Sequence, residues 1–178
     1  MGTQSRVFSR LARTTVTADF ESVYETELPR IYNFFRYRIG DDQVAEDLTG
    51  ETFEKAWRNR ERYRADIASF STWLFALARR VAADYYRKRR PTVRLDEASL
   101  ISGSEGIEDT AQERAEFAQL AGLLARLADR ERELVALKYG AGLTNRAIAR
   151  LTGLSETNVS TILSRITAQL RAQWKDEP

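Results

Sequence analysis

Arg79, Arg80, Arg87, Lys88, Arg89 and Arg90 crowd one stretch, SFSTWLFALARRVAADYYRKRR, where Asp84 is the sole acid. The neighbouring segment adds Arg60, Arg62, Arg64 and Tyr63, and the stretch itself carries Trp73, Tyr85 and Tyr86. Cations track phosphates, and aromatic rings stack on unpaired bases. A cluster so nearly of one sign repels itself unless an anion lies against it. The combination suits single-stranded nucleic acid, with Arg62, Tyr63, Trp73, Arg80, Asp84, Arg87 and Lys88 as the candidate contacts. Trp73 fits core packing as well as it fits stacking on a base.

A second stretch, AIARLTGLSETNVSTILSR, suits duplex DNA. Ile148, Ala149 and Leu151 share one face of a short helix that can begin after Thr144. Gly153 suits the left-handed residue just past a helix end. Ser155 can cap a new helix in which Val159, Ile162 and Ile166 recur at helical spacing. Helices joined by so short a turn cross steeply and share a small core of Ile148, Ala149, Leu154, Val159 and Ile162. This is the helix-turn-helix pattern, whose second helix enters the major groove. Its outward residues are Ser155, Glu156, Thr157, Asn158, Ser160, Thr161, Ser164 and Arg165. Hydroxyls and amides hold phosphates or read base edges, and the Asn158 amide can pair bidentately with adenine.

A third stretch, DDQVAEDLTGETFEKAW, has the opposite sign. DNA repels an acidic face, so Asp42, Glu46, Asp47, Glu51 and Glu54 are candidates for a basic protein surface, unless they form only a solvated face. The chain has neither histidine nor cysteine. That removes disulfides, thiol chemistry, the usual zinc sets and the commonest general base. No catalytic residue, metal ligand or cofactor is expected, and the chain is read as a binding protein rather than an enzyme. A reducing cytoplasm is the expected location. No apolar run is long enough for membrane insertion, and the N-terminus lacks the apolar core of a signal peptide.

The elements that must position these residues are helical throughout. The 178 residues carry 28 Lys and Arg against 26 Asp and Glu, so the distribution of charge rather than its total is informative. Residues 1–18 are basic and hydroxyl-rich and read as a flexible tail. Residues 19–90 hold three helices. Phe20, Val23, Tyr24, Ile31, Phe34 and Phe35 mark the first, with a bend expected at Pro29. Asp41 or Asp42 caps the second, which carries Ala45, Leu48, Phe53, Ala56 and Trp57 as its apolar residues, and Pro91 stops the third. Residues 91–110 have no period and are rich in Ser, Gly and acid, as a linker would be. Residues 111–178 are helical again. The expected fold is all-α, with two small helical domains joined by a flexible linker and the helix-turn-helix in the second.

AEDLTGETFEKAW, STWLFALARRVAADYYRKRR and the terminal helix-turn-helix, in this order and spacing, closely resemble bacterial RNA polymerase sigma factors of the extracytoplasmic-function (ECF) group. The resemblance covers about Phe20–Arg90 and Phe117–Arg171. It implies that the first domain is similar to sigma region 2. The acidic helix Ala45–Trp57 would dock on the clamp of core RNA polymerase, and the surface Tyr63–Arg90 would melt the -10 element and hold its non-template strand. The second domain is similar to region 4, with Ser155–Arg171 reading the duplex -35 element. The linker, with Asp96, Glu97, Glu105, Glu108 and Asp109 against Arg94, would thread the RNA channel, and an anti-sigma factor is a further expected partner. Three positions depart from the pattern. Gly50 stands where the family usually has Gln, and Ser160 and Ile162 stand where the recognition helix is usually basic. The alternative is a stand-alone helix-turn-helix regulator with a helical effector domain, which the Arg-rich aromatic helix disfavours.

Overall fold

The computed structural model describes residues 23–89 and 110–176. The expectations for the tail 1–18, for linker residues 91–109 and for the stop at Pro91 lie outside these residues. Among the described residues the secondary structure is helical.

Helix α1 (23–39) runs on through Pro29 and buries Ile31, Phe34 and Phe35 completely. It ends at Gly40, whose φ of 81° is a left-handed conformation that glycine adopts without strain. Asp41 then caps α2 (Asp42–Arg58), its carboxylate accepting the Val44 N–H at 2.9 Å. α2 turns Ala45, Leu48, Phe53 and Ala56 inward. Thr49 and Thr52 are buried beside them because their hydroxyls donate to the carbonyls of Ala45 and Leu48. A tight 3-10 turn (Arg60–Arg62) and a loop lead to α3 (Phe70–Arg89), which buries Leu74, Phe75, Ala78, Val81 and Ala82. Phe34 meets Phe35 and Phe75 edge-on, with ring centres 5.1 and 6.0 Å away. Each fully buried ring of this kind stabilises the unit by about 1.5–3 kcal/mol.

In the second unit, α4 (Ala111–Ala125) starts with a capping box. Thr110 accepts from the Glu113 N–H, and the Glu113 carboxylate reaches back to the Thr110 N–H. The carbonyls at its other end are met by Arg132, which donates to Leu124, Ala125 and Leu127. α5 (Asp129–Val135) widens into a π-turn (Ala136–Gly140), where the Ala141 N–H reaches the Ala136 carbonyl at 2.9 Å. α6 (Asn145–Thr152) is capped by Thr144 and ends at Gly153, with φ 73°. α7 (Glu156–Asp176) follows at once. Ile148 and Val159 are fully buried where α6 and α7 cross, with Ala149, Leu154 and Ile162 packed around them.

The two units lie against each other. Tyr37 of α1 meets Phe117 of α4 with ring centres 5.6 Å apart, and the Arg36 guanidinium sits 3.9 Å from the centre of the same ring. α6 packs on α3.

Candidate nucleic-acid interface

The basic end of α3 is open to solvent. Arg62, Arg80, Arg87 and Lys88 are exposed, and Tyr63, Trp73 and Asp84 are half-buried. Tyr63, Phe70 and Trp73 form a three-ring cluster with centres 5.3 to 5.4 Å apart. Burial within it raises the Tyr63 pKa, and the Tyr63 hydroxyl donates to the Ala68 carbonyl at 3.1 Å. This bond and a bidentate Arg64–Asp66 pair at 2.9 and 2.7 Å shape the loop before α3. The hydrogen bonds from Arg64 hold the Asp66 carboxyl below its ordinary pKa. Trp73 therefore packs in an aromatic cluster and also keeps an accessible edge.

Asp84 is the hub of this surface. It pairs with Arg87 at 2.9 Å and lies 3.9 Å from Lys55 of α2. Tyr85 carries Arg89 over its ring, 5.3 Å from the centre, and accepts a hydrogen bond from it. Tyr86 turns the other way, donating to the Arg38 carbonyl at 2.7 Å. Two residues absent from the sequence-based set belong to this region. Ile67 stands at the loop tip with 73% of its surface exposed, and Trp57, expected on the apolar stripe of α2, is instead exposed and lies under the Arg60 guanidinium at 4.0 Å. An isolated apolar residue among loop residues gives no periodic signal, so Ile67 was not legible.

On α2, Glu46, Asp47 and Glu54 are exposed and Glu51 half-exposed. Glu51 pairs with Lys55 at 2.7 Å and Glu54 with Arg58 at 2.5 Å, the helical i,i+4 arrangement. Asp42 differs from the others. Its carboxylate is 2.8 Å from Arg36 Nε and largely covered, so it closes the α1–α2 corner instead of joining the acidic face. Gly50 lies on the exposed side with no atom within 4 Å of the position a Cβ would take.

On α7, Ser155, Glu156, Thr157, Asn158, Ser160, Thr161, Ser164 and Arg165 are all exposed. Their hydrogen bonds divide them. Ser155 accepts from the Asn158 N–H at 3.1 Å and serves as the cap, and Thr161 donates to the Thr157 carbonyl at 3.0 Å. Arg165 is 2.6 Å from Glu131, and Glu156 is 3.6 Å from Arg146. Beside this face runs a groove of about 380 Å³ lined by Lys138, Tyr139, Asn145, Ser160, Ser164 and Arg171. Lys138 and Tyr139 come from the π-turn and Asn145 opens α6, and no pattern on α7 points to them.

Among the described residues, no set of three or more His, Cys, Asp or Glu side chains could hold a metal ion. No helix there is long and apolar enough to cross a membrane.

Residues 23–92 match sigma-70 region 2, and residues 117–170 match sigma-70 region 4. The chain is 30% identical to the ECF RNA polymerase sigma factor SigK of Mycolicibacterium vanbaalenii over 161 residues, covering 88% of this chain and 80% of that one. It is 28% identical to SigM of Bacillus subtilis, covering 86% of this chain and 94% of that protein. It is also 28% identical to BldN of Streptomyces coelicolor, over 89% of this chain but only 61% of that longer protein. The fold matches the sigma factor RpoE solved in complex with the anti-sigma factor NepR from Bartonella quintana, with a TM-score of 0.71 and 22% identity over 90% of this chain and 99% of that one. It also matches CnrH solved with the cytosolic domain of CnrY, with a TM-score of 0.64 and 22% identity over 96% of this chain and 98% of that one. A stand-alone regulator does not account for both sigma regions occurring in one chain, in this order. The acidic helix, the basic aromatic helix and the helix-turn-helix thus belong to one protein type, and the chain is a member of the ECF family of RNA polymerase sigma factors, whose function is promoter recognition in transcription initiation.

Proposed function

We propose that the three surfaces divide the work of initiation among themselves. The exposed acids of α2, Glu46, Asp47, Glu51 and Glu54, dock on a basic surface of core RNA polymerase. The α3 end and the loop before it, with Arg62, Tyr63, Trp73, Arg80, Arg87 and Lys88, take the non-template strand of the -10 element as it melts. The α7 face reads the duplex -35 element, with Asn158 making a base contact. The carrying observation is the sorting of charge. Acids crowd α2, cations crowd the end of α3, and hydroxyls cover α7, each on an exposed face. A protein surface, a single strand and a duplex groove ask for those three chemistries in turn.

The solved RpoE is bound by the anti-sigma factor NepR, and a partner of that class is proposed here too. The site of action is the cytoplasm, where the polymerase works. Run-off transcription with core enzyme on a promoter library tests the reading. Initiation at a defined promoter subset, absent without the chain, is expected. Transcription that is unaffected by adding the chain would refute it.

A further inference from the structure

A groove of about 370 Å³ opens beside α4, and none of its lining residues belongs to the three surfaces above. Phe117 and Leu120 of α4 and Trp174 near the end of α7 supply its apolar lining, and Trp174 keeps 39% of its surface exposed. Glu113 and Glu116 supply its acids. Glu113 is engaged with the Thr110 cap and Glu116 accepts from the Gln112 amide at 2.8 Å, and neither forms an ion pair with another described residue. The remaining wall is Arg36, whose charge is offset by Asp42 at 2.8 Å. The groove is therefore apolar inside and negative at its edge. It suits an apolar segment that carries positive charge.

Two segments of this chain lie outside the described residues and within reach, and their charges separate them. The linker 91–109 leads into α4, but it carries Asp96, Glu97, Glu105, Glu108 and Asp109 against Arg94. The acids of the groove repel it. Residues 1–18 carry Arg6, Arg10 and Arg13 and no acid, with Val7, Phe8 and Leu11 among them. Val23 and Arg36 are about 20 Å apart along α1 at the helical rise per residue. Residues 14–22 span up to about 30 Å when extended, so the basic segment reaches the groove.

We propose that residues 6–13 of this same chain seat in the groove, with Val7, Phe8 and Leu11 against Phe117, Leu120 and Trp174, and with the arginines toward Glu113 and Glu116. Tethering gives the segment a high local concentration, so a modest contact is enough to hold it. Any protein partner that takes this groove then displaces the tail. The docking is independent of which surface meets which promoter element.

Cysteine trapping in the full chain tests this, because the chain has no cysteine of its own. One variant carries Ser9→Cys with Gln112→Cys, and the control carries Ser99→Cys with Gln112→Cys. Gln112 is exposed and bonds to Glu116 on the same face of α4. Without docking the control pair oxidises faster, because it closes the shorter loop. With docking the Ser9 pair should oxidise faster than the control, by roughly tenfold. Phe8→Asp should slow the Ser9 pair by a similar factor. Glu116→Arg should slow it as well, and adding Arg10→Glu should restore the rate. A control pair that oxidises first overturns the docking. Disulfide-linked dimers assign the groove to a second copy and overturn it too. A fast Ser9 pair that ignores Phe8→Asp shows proximity without docking and also overturns it. If Glu116→Arg loses helicity by circular dichroism, the Phe8→Asp rate decides.

Discussion

Lys55 of α2 lies 3.9 Å from Asp84 of α3, and this bridge joins the acidic helix to the basic one. Asp84 also holds Arg87 at 2.9 Å, so one carboxylate offsets two cations at the edge of the proposed single-strand surface. Asp84→Ala should leave Arg87 to the DNA, while Lys55 keeps its 2.7 Å pair with Glu51. Affinity for any single strand should rise, and its salt dependence should steepen by about one unit of slope. Anisotropy titrations at several salt concentrations check this. An unchanged slope would place Asp84 outside the reach of the strand.

Arg80→Ala and Arg87→Ala should impair promoter opening by removing phosphate contacts at the α3 end. The expected pattern is weak permanganate reactivity of the -10 region on duplex promoters and near-normal run-off yield on pre-melted ones. Normal opening of duplex promoters by both variants would remove α3 as the melting surface.

Asp47 and Asp42 should separate binding from stability. Asp47→Lys alters an exposed side chain, and such changes usually move stability by less than about 0.5 kcal/mol. Pull-down of core polymerase should fall while the melting curve stays put. Asp42→Ala removes the covered partner of Arg36, and charged hydrogen bonds of that kind contribute about 1.5–3 kcal/mol. That variant should melt earlier and, once folded, bind core normally. Equal pull-down by Asp47→Lys and the parent would reduce the acidic face to a solvated surface.

Ser155 and Asn158 make a similar contrast on α7. Ser155→Ala loses the cap on the Asn158 N–H and should cost about 0.5–2 kcal/mol of stability. Asn158→Ala should leave the melting curve nearly unchanged and lose about 1–3 kcal/mol of discrimination at one -35 position. Competition binding with single-base variants of the site reads that loss. A uniform drop across all variants would mean that Asn158 holds the backbone.

The helix-turn-helix was the most legible part of the chain because its signals are local. Thr144, Gly153 and Ser155 each act within a few residues, and all three take the expected cap or left-handed conformation. The core stripe of α2 was legible by periodicity at Ala45, Leu48, Phe53 and Ala56, though not at Trp57, which is exposed. What was not legible depends on distant partners. Asp42 could not be told from its acidic neighbours until Arg36 was seen beside it. The seating of Gly140 on Asn33 joins positions from different units, and no pattern within either segment encodes it.

The charge state of α7 has a consequence for how the protein hunts. Its Arg165 is already satisfied by Glu131 and its Glu156 by Arg146, so hydroxyls and an amide dominate the face offered to the groove. Attachment to arbitrary sequence grows with the number of phosphates neutralised, and this helix neutralises few. On the proposed assignment it lets go of a wrong site quickly and lingers only where its hydrogen bonds match. Dwell time along the chromosome is then governed by the cationic end of α3, which needs an opened strand, so a pause becomes long only where the duplex yields.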